Sequence, residues 1–102
     1  MARFEQQKGR FLQARDHFLI ARQRQELLVA RFPTRARYRG PLARILDETA
    51  KLLLKSGNIA AALAELSAAE GHYQQMITAA PDDAYWRQRL GETRARIQRL
   101  LR

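Results

Sequence analysis

The chain has 102 residues, a net charge of +9, 46% hydrophobic residues and no cysteine. That length suits one domain with a single modest core, and no run reaches the ~18 apolar residues that a membrane-spanning helix needs. The missing cysteine excludes disulfides and thiolate metal sites, and the polar start Met-Ala-Arg-Phe-Glu-Gln-Gln-Lys does not read as a secretory leader, so a cytoplasmic protein is expected.

The charge is unevenly placed. Residues 1–55 hold 13 Lys/Arg against 5 Asp/Glu, whereas residues 56–102 hold 6 against 5. A basic half of this kind attracts an acidic protein, nucleic acid or an anionic surface without distinguishing among them. Ala, Leu, Arg, Gln and Glu dominate, and these residues lose little side-chain freedom in a helix. An all-α protein is expected.

In chain order, helix is expected over 2–8, running into or hinged onto 10–32. Its apolar positions Phe11, Ala14, Phe18, Ala21, Leu28 and Phe32 recur at helical spacing, and Pro33 ends it. A loop over 33–40 carries Arg35, Arg37 and Arg39. Pro41, at a first helical position, opens a helix over 41–56 with the stripe Leu42, Ile45, Leu46, Thr49, Leu52, Leu53. Gly57-Asn58 is a chain-reversal signal, because both residues tolerate the left-handed backbone. The next helix, 59–80, shows Ile59, Ala62, Leu63, Leu66, Ala69, Tyr73, Met76 and Ile77, and Pro81 stops it. Asp82 or Asp83 then caps a last helix over 83–101, with Trp86, Leu90, Thr93, Ile97, Leu100 and Leu101 on one side. Gly71 and Gly91, inside helices, are expected where helices approach closely. Leu66 is expected in the core and Glu65 beside it on the surface.

These elements repeat. A shift of 48 residues places Gly9 on Gly57, Pro33 on Pro81, Ala14 on Ala62, Ala21 on Ala69, Leu42 on Leu90 and Tyr38 on Trp86. Unit 1 spans about 9–56 and unit 2 about 57–102, the second incomplete, in one domain of residues 1–102. Fixed periods of this length mark helical repeat arrays. A stack needs covered ends, so the stub at Phe4 and the terminal Ile97, Leu100 and Leu101 predict a neighbouring repeat, a second copy or a bound partner.

The stretches Gly57-Asn58-Ile59-Ala60-Ala61-Ala62-Leu63 and Pro81-Asp82-Asp83-Ala84-Tyr85-Trp86-Arg87-Gln88-Arg89-Leu90 resemble the tetratricopeptide-like helical repeats of bacteria, in their extended long-helix variant. The period exceeds the ~34 residues of the ordinary repeat. The resemblance covers 42–102 well and 9–41 more loosely. It implies an α-solenoid of antiparallel helix pairs whose concave face grips a peptide or partner domain, with the first helix of each pair supplying the contacts. On helix 41–56 those would be Arg44, Asp47, Glu48, Lys51 and Lys55; on helix 83–101, Arg87, Arg94 and Arg96. The set of lysines and asparagines by which some of these repeats clamp acidic C-terminal peptides is not matched, because the sole asparagine is Asn58.

Enzymatic motifs are not found. His17 and His72 lack a surrounding constellation and read as surface or boundary residues, Asp82-Asp83 as caps rather than a metal site, and no Gly-rich phosphate loop occurs. No catalytic, cofactor or metal residue is expected. The partner-binding candidates are Arg35, Arg37, Arg39, Arg44, Lys51, Lys55, Arg87 and Arg94. They describe a protein–protein interaction module for an acidic partner, in a homo-oligomer or a longer array. The alternative is a small basic helical protein that holds nucleic acid or an anionic surface through residues 31–44, with Tyr38 between the arginines.

Overall fold

The computed structural model describes residues 2–102, and side chains from Gly9 onward. Phe4 therefore lies outside the described side chains. The chain forms four helices, α1 (Ala2–Arg31), α2 (Arg39–Lys55), α3 (Ile59–Ala79) and α4 (Ala84–Leu101), with a 3-10 turn over Ala36–Tyr38 leading into α2. Among the described residues there is no strand, so the expected all-α class holds.

Turn chemistry written in the sequence sets the boundaries. Gly57 takes φ 83°, which only glycine adopts without cost. This left-handed residue lets the Asn58 N–H donate to the Leu53 carbonyl (3.0 Å) and the Gly57 N–H to the Leu54 carbonyl (3.1 Å), the paired bonds of a Schellman stop. Asn58 then starts α3, its Oδ1 accepting from the Ala61 N–H. Asp83 starts α4, its carboxylate accepting from the Tyr85 N–H. Each cap satisfies a donor the helix itself leaves unmade.

The 48-residue period extends to the backbone. The Phe32 N–H donates to the Leu28 carbonyl and the Ala80 N–H to the Met76 carbonyl, both at 2.9 Å; Arg35 to Phe32 and Asp83 to Ala80 repeat at 3.0 Å. α1 and α3 accordingly end at equivalent residues, Arg31 and Ala79. The copies part immediately afterwards. Asp83 caps α4, but its counterpart Arg35 has no side-chain acceptor, and the chain passes through a 3-10 turn before α2. α2 begins at Arg39, two residues ahead of the expected Pro41. Proline is tolerated there because a first-turn N–H has no intrahelical partner to lose. The expected open loop over 33–40 is thereby reduced to a tight turn, and Gly40 is buried.

Helix α2 is central, packing on α1 and α3, while α3 also packs on α4. The molecule measures 50 × 34 × 20 Å, and the short dimension is two helix diameters. Ala43 and Ala50 on α2 and Ala62 and Ala69 on α3 are fully buried. Each pair is one heptad apart, and the small side chains let the two backbones come close. One core cluster joins Leu42, Ala43, Leu46, Ala69, Tyr73 and Leu90, flanked by Val29, Ile77 and Trp86. A second joins Ala50, Ala62 and Leu66, flanked by Leu53, Leu54, Ile97 and Leu100. The Trp86 indole lies against Gly40, where an added Cβ would meet its ring carbons.

Further expectations fail at Gly71, Gly91 and Glu65. Gly71 and Gly91 are exposed, with open space around the position of a Cβ, so neither marks a close helix contact. Glu65 is not an isolated surface residue: Arg22 of α1 donates to both its carboxylate oxygens, at 2.7 and 2.9 Å, which ties α1 to α3.

Candidate interaction surface

The arginine-rich turn forms a compact basic edge at the α1–α2 connection. Phe32 and Tyr38 stack with ring centroids 5.7 Å apart, held by the turn bonds and by Gln25, whose amide donates to the Tyr38 carbonyl. Guanidinium groups cover these rings: Arg35 lies 4.9 Å and Arg31 5.7 Å from the Phe32 centroid, and Arg37 lies 5.1 Å from that of Tyr38. Arg37 also donates to the Tyr38 hydroxyl. That bond, with a further contribution from Arg35, holds the phenol below its usual pKa. The cation–π contacts fix the direction of otherwise mobile side chains.

The eight candidate residues do not converge on one site. Arg35 and Arg37 share the basic edge, whereas Arg39, the first residue of α2, acts on His72 of α3. Arg44 lies in an open groove of about 390 Å³ with Phe18, Pro41, Ile45, Glu48 and Arg89. Lys55 lies further along α2, in a different groove with Arg10, Phe11, Ala14 and Leu52. Lys51 pairs with Glu48 at 3.1 Å. Arg87 donates to the Pro81 carbonyl, and Arg94 pairs with Glu70 and donates to Gln74. Among the described residues, Arg35, Arg37, Arg39, Arg44 and Lys55 form no ion pair, whereas the other three are engaged within the chain.

Asp47, expected on the partner-facing side of α2, is instead buried at 3% exposure. Its carboxylate accepts from the Tyr73 hydroxyl (2.7 Å) and from Arg89 (3.1 Å), and the Thr93 hydroxyl sits 3.2 Å from both oxygens. Arg89 Nε in turn donates to the Tyr73 oxygen. Burial, then the neighbouring carboxylate, push the Tyr73 phenol well above its ordinary pKa. Four polar side chains from α2, α3 and α4 thus satisfy one another, as buried polar groups must. The cluster is a clip between helices, and its partners lie 26, 42 and 46 residues from Asp47 in the chain.

His17 is exposed and meets Phe18 edge-on. His72 is half-buried, and its Nδ1 has no hydrogen-bond partner. Burial, followed by the charge of Arg39, lowers its pKa, and Glu26 opposes the shift. Among the described residues no three His, Cys, Asp or Glu side chains gather to hold a metal, and no helix is long and apolar enough to cross a membrane. No protein-family model, no curated protein and no solved structure matches this chain.

Proposed function

We propose that this chain is a non-enzymatic, cytoplasmic protein-interaction module that binds an acidic protein surface through the arginine-rich edge at the α1–α2 connection. The scaffold we assign is a tetratricopeptide-like pair of extended helix repeats. The backbone bonds recurring 48 residues apart support that assignment.

The observation that carries the binding proposal is the arrangement of Arg31, Arg35 and Arg37 on Phe32 and Tyr38. Guanidinium groups already ordered on aromatic rings lose less freedom on binding carboxylates than solvated ones would. The same stacking favours a protein over nucleic acid, because the faces on which a base would stack carry the chain's own guanidiniums. Arg44 adds a positive charge to the groove beside Phe18 and Ile45, where an apolar side chain of a bound segment fits.

The test is fluorescence anisotropy of the full chain with a labelled glutamate-rich peptide and, separately, a single-stranded oligonucleotide of equal charge. Replacing Arg35, Arg37 and Arg39 together by Ser is expected to leave the helical circular dichroism unchanged and to weaken peptide binding about tenfold, roughly 1.4 kcal/mol. Unchanged affinity in that variant contradicts the proposal. Tighter binding of the oligonucleotide, with the steep salt loss of phosphate contacts, would establish the nucleic-acid reading instead.

A further inference from the structure

We infer that α1 carries a second, outward apolar face on which another copy of this chain docks antiparallel, forming a two-fold symmetric dimer. The argument is independent of the basic edge. α1 is apolar on two sides. Phe11, Ala14, Phe18, Ala21 and Leu28 are partly buried against the rest of the molecule. Leu12, Leu19, Ile20 and Leu27 remain 37, 50, 51 and 71% exposed. At 3.6 residues per turn these four fall on one stripe, away from the inward set. A helix covered on one side only has its other side polar; this one does not.

The order of residues along the stripe identifies the occupant. Leu12 precedes Leu19 by seven residues and Leu27 follows Ile20 by seven, so the stripe reads the same from either end about the 19–20 peptide bond. An antiparallel copy centred there sets Leu12 level with Leu27 of the second copy, and Leu19 with its Ile20. The two polar residues within the stripe obey the same symmetry: Asp16 comes level with Gln23 of the second copy, a carboxylate acceptor opposite an amide donor. On one flank Arg15 comes within two residues of Glu26 of the second copy, an opposite-charge pair. Apolar meets apolar, acceptor meets donor and base meets acid. This is the self-complementarity a two-fold interface requires.

Charge selects the antiparallel arrangement over the parallel one. Each copy carries +9, concentrated near the C-terminal end of α1. Parallel pairing would bring two arginine edges together. Antiparallel pairing about the 19–20 bond sets the two Arg31 positions 23 residues apart along the axis, ~35 Å, several times the screening length in physiological salt. The contact runs over about four turns, ~22 Å, which is less than a standard interface, so dissociation in the micromolar range is expected. Salt should strengthen the dimer by screening the remaining repulsion, whereas it weakens binding of an acidic partner at the basic edge. The opposite salt responses keep a failure of this inference distinct from a failure of the proposed function.

The test is sedimentation equilibrium of the full chain across the micromolar range at low and high salt, together with cysteine crosslinking, for which the native chain offers no competing thiol. The mass is expected to rise from 11.8 kDa toward twice that value, more so at high salt. Leu19→Lys with Ile20→Lys should hold it at the monomer mass with unchanged circular dichroism. Ile20→Cys lies beside the two-fold axis and should form a disulfide-linked dimer on oxidation, because only adjacent Cα atoms can be bridged. Leu12→Cys lies near the end of the stripe, far from its own counterpart, and should not. A chain that stays monomeric at high salt, leaving the face to a different protein, overturns the inference. So does equal crosslinking at both positions, which would mean a parallel or unspecific contact.

Discussion

Replacing Asp47 by Ala should be among the most destabilising single changes in this protein, although it removes a charged residue from a helix. The carboxylate is 4% exposed and accepts from Tyr73, Arg89 and Thr93 on two other helices. Its loss strands the buried Tyr73 hydroxyl from its acceptor and leaves the Arg89 guanidinium without its nearest counter-charge. Breaking a buried pair from one side costs ~3–5 kcal/mol. Arg89 is 21% exposed and stays 3.8 Å from Glu92, so water and that neighbour offset part of the loss and place the effect near the lower end, about 3 kcal/mol. For a domain of this size that lowers the melting temperature by ~12–24 °C. Urea unfolding followed by circular dichroism measures the difference directly. Thr93→Val, which removes one neutral donor, should cost about 1 kcal/mol. An Asp47→Ala protein within 1 kcal/mol of the parent would refute the claim that this cluster holds α2 to α3 and α4.

The remaining predictions use the same assay. Leu66→Ala, at a fully buried site, should cost ~2–5 kcal/mol, and Glu65→Ala only about 0.5–1 kcal/mol, because its Arg22 partner is partly solvated; equal midpoints for the two would mean the phase of α3 is wrong. Gly71→Ala and Gly91→Ala should each stabilise by ~0.5–1 kcal/mol, since both stand in exposed helix with room for a methyl group, whereas Gly40→Ala should destabilise, its Cβ falling against the Trp86 indole ring. His72 is held below its ordinary pKa in the folded chain, so the unfolded chain binds its proton first and stability should fall as pH drops through ~6.5; His72→Gln should remove that slope, and an unchanged slope would assign it to other groups.

Where the sequence names its own local chemistry, it was readable. Gly57-Asn58 and Pro81 to Asp83 carry the turn and cap residues their backbones use, so α3 and α4 fall where their stripes end. α2 starts two residues before Pro41 because proline is tolerated throughout a helix's first turn, not only at its first position. Asp47 and Glu65 differ from expectation for another reason. On their own helices each looks like a solvated charge, and each is engaged only by residues brought close by tertiary packing. A glycine inside a helix points to a close packing contact, but Gly71 and Gly91 have open space where such a contact would be. The outward stripe of α1 was present in the sequence, but the inward stripe of aromatic residues already accounted for the helix. Of the candidate binding residues, Arg35 and Arg37 sit together on the Phe32 and Tyr38 rings; spacing does not show that Lys51, Arg87 and Arg94 are engaged within the chain.

An acidic protein is proposed to bind at the arginine-rich edge. Amide chemical-shift mapping of the full chain titrated with a glutamate-rich peptide tests it most directly. Shifts are expected to concentrate in residues 31–44, to saturate with added peptide and to vanish in the Arg35, Arg37, Arg39 to Ser variant. Shifts concentrated on α4 around Arg87 and Arg94, or spread evenly over every basic side of the molecule, would contradict it.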